Sequence, residues 1–137
     1  EEYPLRVPQI DEDGNSLAGL FYPDIAVPLG TYNGWSLRKE GFGEGEQWMN
    51  TGSFVPFART KAEREANGDS RLSIEERYSS HEAYIAAVKQ VCADRMSESL
   101  MLQEDADRFI ASAEKNNPLD PSVGLEPLIQ AGAFRGV

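Results

Sequence analysis

Apolar and polar positions divide the chain into two unlike halves. From Tyr3 to Arg59 short apolar pieces alternate with turn residues, and most of the Pro and Gly and both Trp fall here, a pattern of extended segments and ordered loops. "PLRVPQI" predicts an edge strand, since Pro4 and Pro8 have no N–H for a ladder. Asp13-Gly14 suits a tight turn and "LAGLFY" the returning strand, so a hairpin is expected over Leu5 to Tyr22. After Pro23 the pattern is irregular, and "GFGEGE" at Gly41 to Glu46 reads as a flexible loop.

From Thr60 onward the period becomes helical. Thr60 with Glu63, Ser73 with Glu76 and Ser79 with Glu82 each have the spacing of a capping box, in which hydroxyl and carboxylate satisfy the orphan amides of a helix start. Asn67-Gly68 closes the first, short helix. The main helix is expected from about His81 to Glu98, with Ile85, Val88, Cys92 and Met96 as its apolar stripe, widened by Tyr84 and Val91. A further helix near Gln103 to Lys115 buries Ala106, Phe109, Ile110 and Ala113 and stops at Asn117-Pro118. The rest of the chain shows no sustained period and is expected to lie extended over another surface or to be mobile. The fold class is therefore α+β: an N-terminal hairpin and ordered loops followed by about three helices. The expected divisions are a loop-rich segment at 1–59, a helical segment at 60–116 and a tail at 117–137.

Composition narrows the partners. The 137 residues suit one domain. With 23 Asp and Glu against 13 Lys and Arg the formal net charge is −10, which repels nucleic-acid phosphates and anionic membrane surfaces. No apolar run approaches the roughly 20 residues that span a bilayer, so the chain reads as soluble with no membrane span and no nucleic-acid partner. The sequence as given starts at Glu1 without a Met, so whether a targeting signal has been removed is open, and the compartment is left open with it, export included. The single Cys92 excludes an internal disulfide.

Candidate chemistry is sparse. His81 is the only imidazole, so any Ser-His or Cys-His mechanism would have to use it as base; its place on the first turn of the main helix suits an exposed polar residue instead. Cys92 on the apolar stripe reads as an inert buried thiol. One Cys and one His are too few for a zinc site. "DEDGN" places Gly14 too early for a calcium loop, and "GFGEGE" carries two Glu that repel phosphate and lacks the Lys-Ser/Thr that follows a phosphate loop. Gly34-Trp35-Ser36 has Arg38 where a nucleophile elbow needs its second Gly. Adjacent carboxylates such as Glu75 and Glu76 project apart on a helix and make poor acid/base partners. No catalytic residue, metal site or cofactor is read from the sequence.

The blocks "YPDIAVPLGTYNGWSLR" and "NTGSFVPFARTKAEREANGDSRLSIEERYSSHEAYIAAV" together resemble the C-terminal part of a bacterial family of large alpha/beta-hydrolase domain-containing proteins. The likeness runs from about Tyr3 to Ala113. It implies a serine hydrolase of esterase type whose nucleophile elbow and catalytic His lie upstream of the matched region, so that no catalytic residue carries over to this chain. The implied partner is a catalytic α/β-hydrolase domain, in the same protein or on a partner chain. Tyr32 and Trp35, set by turns at Gly30 and Gly34, are then candidate docking residues that pack on that domain or wall its substrate cleft. "TGSFVPFAR" is a second docking piece ending in Arg59. Two alternatives stand beside this: the two rings complete a local core, or the chain is a stand-alone protein-interaction module without enzymatic activity.

Overall fold

The structure is a computed structural model that describes residues 8–41, 43–48 and 52–128. Its elements are α1 (Pro23–Ala26), β1 (Gly30–Asn33), β2 (Ser36–Leu37), β3 (Gln47–Trp48), β4 (Ser53–Pro56), α2 (Lys61–Ala66), α3 (Ile74–Arg77), α4 (His81–Ser97) and α5 (Gln103–Lys115). The α+β class holds, with small antiparallel sheets, β1 with β4 and β2 with β3, and, among the described residues, five helices where about three were expected.

Among the described residues the N-terminal hairpin shows one bridge, Ile10 to Ser16; the part of the expected strand before Pro8 lies outside them. The turn itself forms. Asp11 Oδ1 accepts from the N–H groups of Asp13 and Asn15 at 2.9 and 2.8 Å, and Gly14 takes φ +81°, which glycine adopts without a Cβ penalty. "LAGLFY" does not return as a strand. Gly19 at φ +105° breaks its extended run, and Pro23 then opens α1 at a position where a missing N–H costs nothing.

Asn15 stands in a strand's place along the outer edge of β1. It is fully buried; its Nδ2 donates to Gly30 O at 3.2 Å and its Oδ1 accepts from Tyr32 N–H at 2.8 Å. A side-chain amide thus closes the outer edge of β1 as a peptide group would. On the other edge, β1 pairs with β4 in the register Gly30 to Pro56, Thr31 to Val55, Tyr32 to Phe54 and Asn33 to Ser53. Gly30 is a strand residue rather than a turn: a Cβ there would lie 2.5 Å from Val55 O and 2.6 Å from the Phe54 ring. The close approach of β4, not a bend, is what requires glycine. "GFGEGE" connects β2 and β3, with Arg38 N–H donating to Glu46 O at 2.9 Å.

The helices follow their local signals closely. Thr60 caps α2, accepting from Glu63 N–H at 3.1 Å, but the Glu63 carboxylate reaches past the cap to Arg59 N–H at 2.8 Å. Ser73 and Glu76 form the capping box of α3. The cap of α4 is Ser80, one residue beyond the expected Ser79, and it accepts from Ala83 N–H. Tyr84, Val88 and Cys92, four residues apart, form the buried seam of α4, while Ile85 and Met96 flank it half-buried. Ala106, Phe109 and Ala113 of α5 complete that interface, and Phe57 and Ile74 join the same core. As far as Leu128 the final segment lies over this body: Pro118 is fully buried and Leu128 is 7% exposed.

Between α4 and α5 the chain turns through Ser99, the one non-glycine described residue at positive φ, +60°. Ser99 N–H donates to Met96 O and Leu100 N–H to Arg95 O, the paired bonds of a Schellman ending, where glycine is the favoured residue. Ser99→Gly is expected to raise stability by about 0.5–1 kcal/mol, read as a higher thermal midpoint. A lower midpoint would contradict this assignment.

At α3, Glu76 Oε2 accepts from the Ser73 hydroxyl at 2.6 Å and from Ser73 N–H at 2.9 Å, with Arg64 Nε at 2.9 Å. These bonds, the Ser73 hydroxyl foremost, hold the carboxyl at about 2, below its ordinary 4.5. A depressed folded value means that this cap's contribution is full above pH 4.5 and is lost as the pH falls through about 2. A carboxyl NMR titration should place the Glu76 midpoint near 2, and Ser73→Ala should move it upward. An unmoved midpoint would show that the hydroxyl is not the cause.

Candidate functional site

Antiparallel pairing of β1 with β4 brings together the two stretches singled out in the sequence, "GTYN" and "SFVP". At that junction Tyr32 is half-buried, its ring 5.0 Å from the Phe54 ring at a tilt of 49°. Its hydroxyl donates to Asp24 Oδ1 at 3.1 Å, and the same oxygen accepts from Leu128 N–H at 2.7 Å. Burial, and then the negative charge of Asp24, push the Tyr32 phenol far above its ordinary range. Tyr32 is a neutral hydrogen-bond donor that fastens β1 to α1, not an acid poised for proton transfer.

Trp35 sits differently. Its ring is 47% exposed, and Leu37, also on the β2 side, is 55% exposed. Among the described residues only its backbone is tied, the carbonyl accepting from the Ser53 hydroxyl at 2.9 Å. Of the two candidate rings, one therefore belongs largely to the local core and the other to the surface.

Arg59 faces inward along the chain. Its guanidinium donates to Pro118 O at 2.7 Å, Asp120 O at 2.8 Å and Val123 O. A fork of donors that cannot lose its charge suits a cluster of carbonyls, and here it clamps the segment after α5 beside the start of α2.

His81 opens α4, and its Nε2 lies 2.8 Å from Ala113 O near the end of α5. A carbonyl only accepts, so this nitrogen carries the proton and donates. Cys92 is buried, and burial pushes its thiol up, away from the reactive thiolate. Among the described residues no group of His, Cys, Asp and Glu could hold a metal ion, and no helix is long and apolar enough to cross a membrane.

One cluster went unseen in the sequence. Phe57, 2% exposed, carries the Arg77 guanidinium 4.1 Å and the Arg71 guanidinium 5.1 Å from its ring centre. Arg77 forms a two-pronged pair with Asp13, and Arg71 pairs with Asp69 at 2.7 Å and also binds Thr31 and Val55 O. The Arg71 side-chain bond leads in lowering the Asp69 carboxyl. Asp13, Arg71 and Arg77 border a cleft of about 410 Å³ that Asp11, Glu12, Ser70 and Leu72 complete. Its cations are matched by carboxylates of the same chain, so the cleft reads as a joint between the N-terminal turn and α3. Asp13 and Arg77 lie far apart in sequence, and no local pattern marks their pairing.

Against known proteins, residues 2–111 match the family model described as "Alpha/beta hydrolase domain". No curated protein and no solved structure matches the chain.

Proposed function

The chain belongs to the alpha/beta hydrolase domain family, and on that premise we propose that it is a non-catalytic, C-terminal portion of an esterase-like serine hydrolase, packing on the catalytic domain. The observation that carries this is the state of its one imidazole. Ester hydrolysis by a serine needs a base whose nitrogen is free to take the hydroxyl proton. His81 donates from Nε2 to Ala113 O, which ties two helices together, and among the described residues no serine hydroxyl is hydrogen-bonded to its ring. The described residues also assemble antiparallel pairs and helices rather than the parallel sheet that carries a nucleophile elbow.

Trp35 and Leu37, about half exposed at one end of the β2–β3 pair, are the residues assigned to the docking face. Tyr32, packed on Phe54 and bonded to Asp24, anchors β1 rather than meeting the partner. Arg59 contributes by holding the final segment against the body. Whether the docked face also walls the substrate cleft is decided by ester specificity in the complete protein.

The test is ester hydrolysis by the 137-residue chain. With a chromogenic short-chain ester, chain and His81→Ala variant are expected to release product at the same background rate. Turnover that disappears in His81→Ala would contradict the proposal. The second reading, a stand-alone interaction module, is favoured by the chain's own core around Ile74, Tyr84 and Val88, all at 0% exposure. It too predicts no turnover, and it is separated from the first by whether the Trp35 face is covered by a hydrolase domain.

A further inference from the structure

We propose that Asn33, in the Asn33-Gly34 pair at the bend between β1 and β2, is a site of spontaneous deamidation and isoaspartate formation. Where glycine follows asparagine, the next backbone nitrogen can reach the side-chain carbonyl carbon, because no Cβ obstructs it. The bond that forms joins Gly34 N to Asn33 Cγ. The bond that breaks is Cγ–Nδ2, and the nitrogen leaves as ammonia with the proton given up by Gly34. One solvent water then opens the cyclic imide at either carbonyl, leaving aspartate or isoaspartate. Nothing is oxidised or reduced, and water is the only co-reactant.

The fold sets this asparagine apart from two others that precede a small residue. Asn15, before Ser16, is fully buried with its amide held by Gly30 O and Tyr32 N–H, so its Cγ cannot turn toward the next nitrogen. Asn67, before Gly68, ends α2 in a helical conformation at ψ −6°, its N–H bonded to Glu63 O. The would-be nucleophile, Gly68 N, donates to Glu65 O at 3.2 Å. Among the described residues, neither the Asn33 side-chain amide nor Gly34 N–H has a hydrogen-bond partner. Gly34 is exposed, and a Cβ placed on it would meet nothing within 4 Å. Of these three asparagines, the attacking nitrogen, the carbonyl it attacks and the room for both to rotate coincide at Asn33 alone.

The product puts a new carboxylate, and in the isoaspartate a longer backbone, between Tyr32 and Trp35. That conversion would weaken docking through Trp35, a consequence that rests on the proposed function; the chemistry itself does not.

The test is to incubate the chain in mildly alkaline buffer, folded and in denaturant, and to follow each asparagine by peptide mapping with isoaspartyl-specific methyl labelling. In denaturant the two Asn-Gly pairs should convert at the same rate. In the folded chain Asn33 should keep that rate while Asn67 slows about tenfold, equivalent to about 1.4 kcal/mol of local opening, and Asn33→Gln should abolish the signal at position 33 alone. A folded chain in which Asn67 matches or leads Asn33 would overturn the assignment, as would folding that slows Asn33 as much as Asn67.

Discussion

Phe57→Ala is expected to destabilise the chain by about 3–5 kcal/mol, a large share of the 5–15 kcal/mol typical of a domain. The ring is 2% exposed and sits where the first half of the chain meets the second. It follows β4, its N–H donates to Leu29 O, and both Arg71 and Arg77 lie against it. Removing it leaves a cavity in the core and uncovers two guanidiniums whose positions the ring fixes, so the Asp13–Arg77 and Asp69–Arg71 pairs lose their common support. Urea unfolding should show a lower midpoint with an unchanged slope. Phe57→Leu, which keeps most of the apolar volume, should recover most of the loss. A cost below about 1 kcal/mol for the alanine variant, in the range of an ordinary surface substitution, would mean that Phe57 is not the joint described here.

Arg59→Met should cost about 2–4 kcal/mol. The substitution keeps an apolar stem but removes charged donors to Pro118, Asp120 and Val123 carbonyls, and hydrogen bonds to a charged group contribute roughly 1.5–3 kcal/mol each before water replaces part of the loss. The effect should be local. Hydrogen exchange should quicken across 117–128 while the buried seam of α4 remains protected. Leu128 would still be held by Asp24 through its N–H, so the far end of the segment should respond less than its middle. Uniform quickening throughout α4 and α5 would instead make Arg59 part of the global core.

What the sequence made legible follows from range. The bounds of α5 fall at Gln103 and Lys115 as its apolar spacing predicts, and α4 ends within one residue of expectation, because caps and helical period are written within a few neighbouring residues. Strand partners are not so written. Val55 pairs with Thr31 across the whole β2–β3 hairpin, and the role of a third strand falls to the side chain of Asn15, which no alternation of apolar and polar residues announces. The hairpin expected over Leu5 to Tyr22 had a good turn at Asp13-Gly14 but a returning limb interrupted by Gly19.

The candidate site was legible in part for the same reason. Aromatic residues between glycines singled out the stretch, yet Gly30 serves close strand packing rather than a turn. The stretch divides into a half-buried Tyr32 and an exposed Trp35. Arg59 looked like the end of a docking piece because its carbonyl partners lie some sixty residues on. The Phe57 joint had no signal at all, since its charges come from the N-terminal turn, the loop before α3 and α3 itself.

The central claim is that Trp35 marks a face which a hydrolase catalytic domain covers. Oxidative footprinting read by mass spectrometry measures this directly, on the 137-residue chain and on the complete hydrolase proposed to carry it. Trp35 should label readily in the chain, where its ring is 47% exposed, and become protected in the complete protein, with Leu37 following. Equal labelling of Trp35 in both would contradict the account.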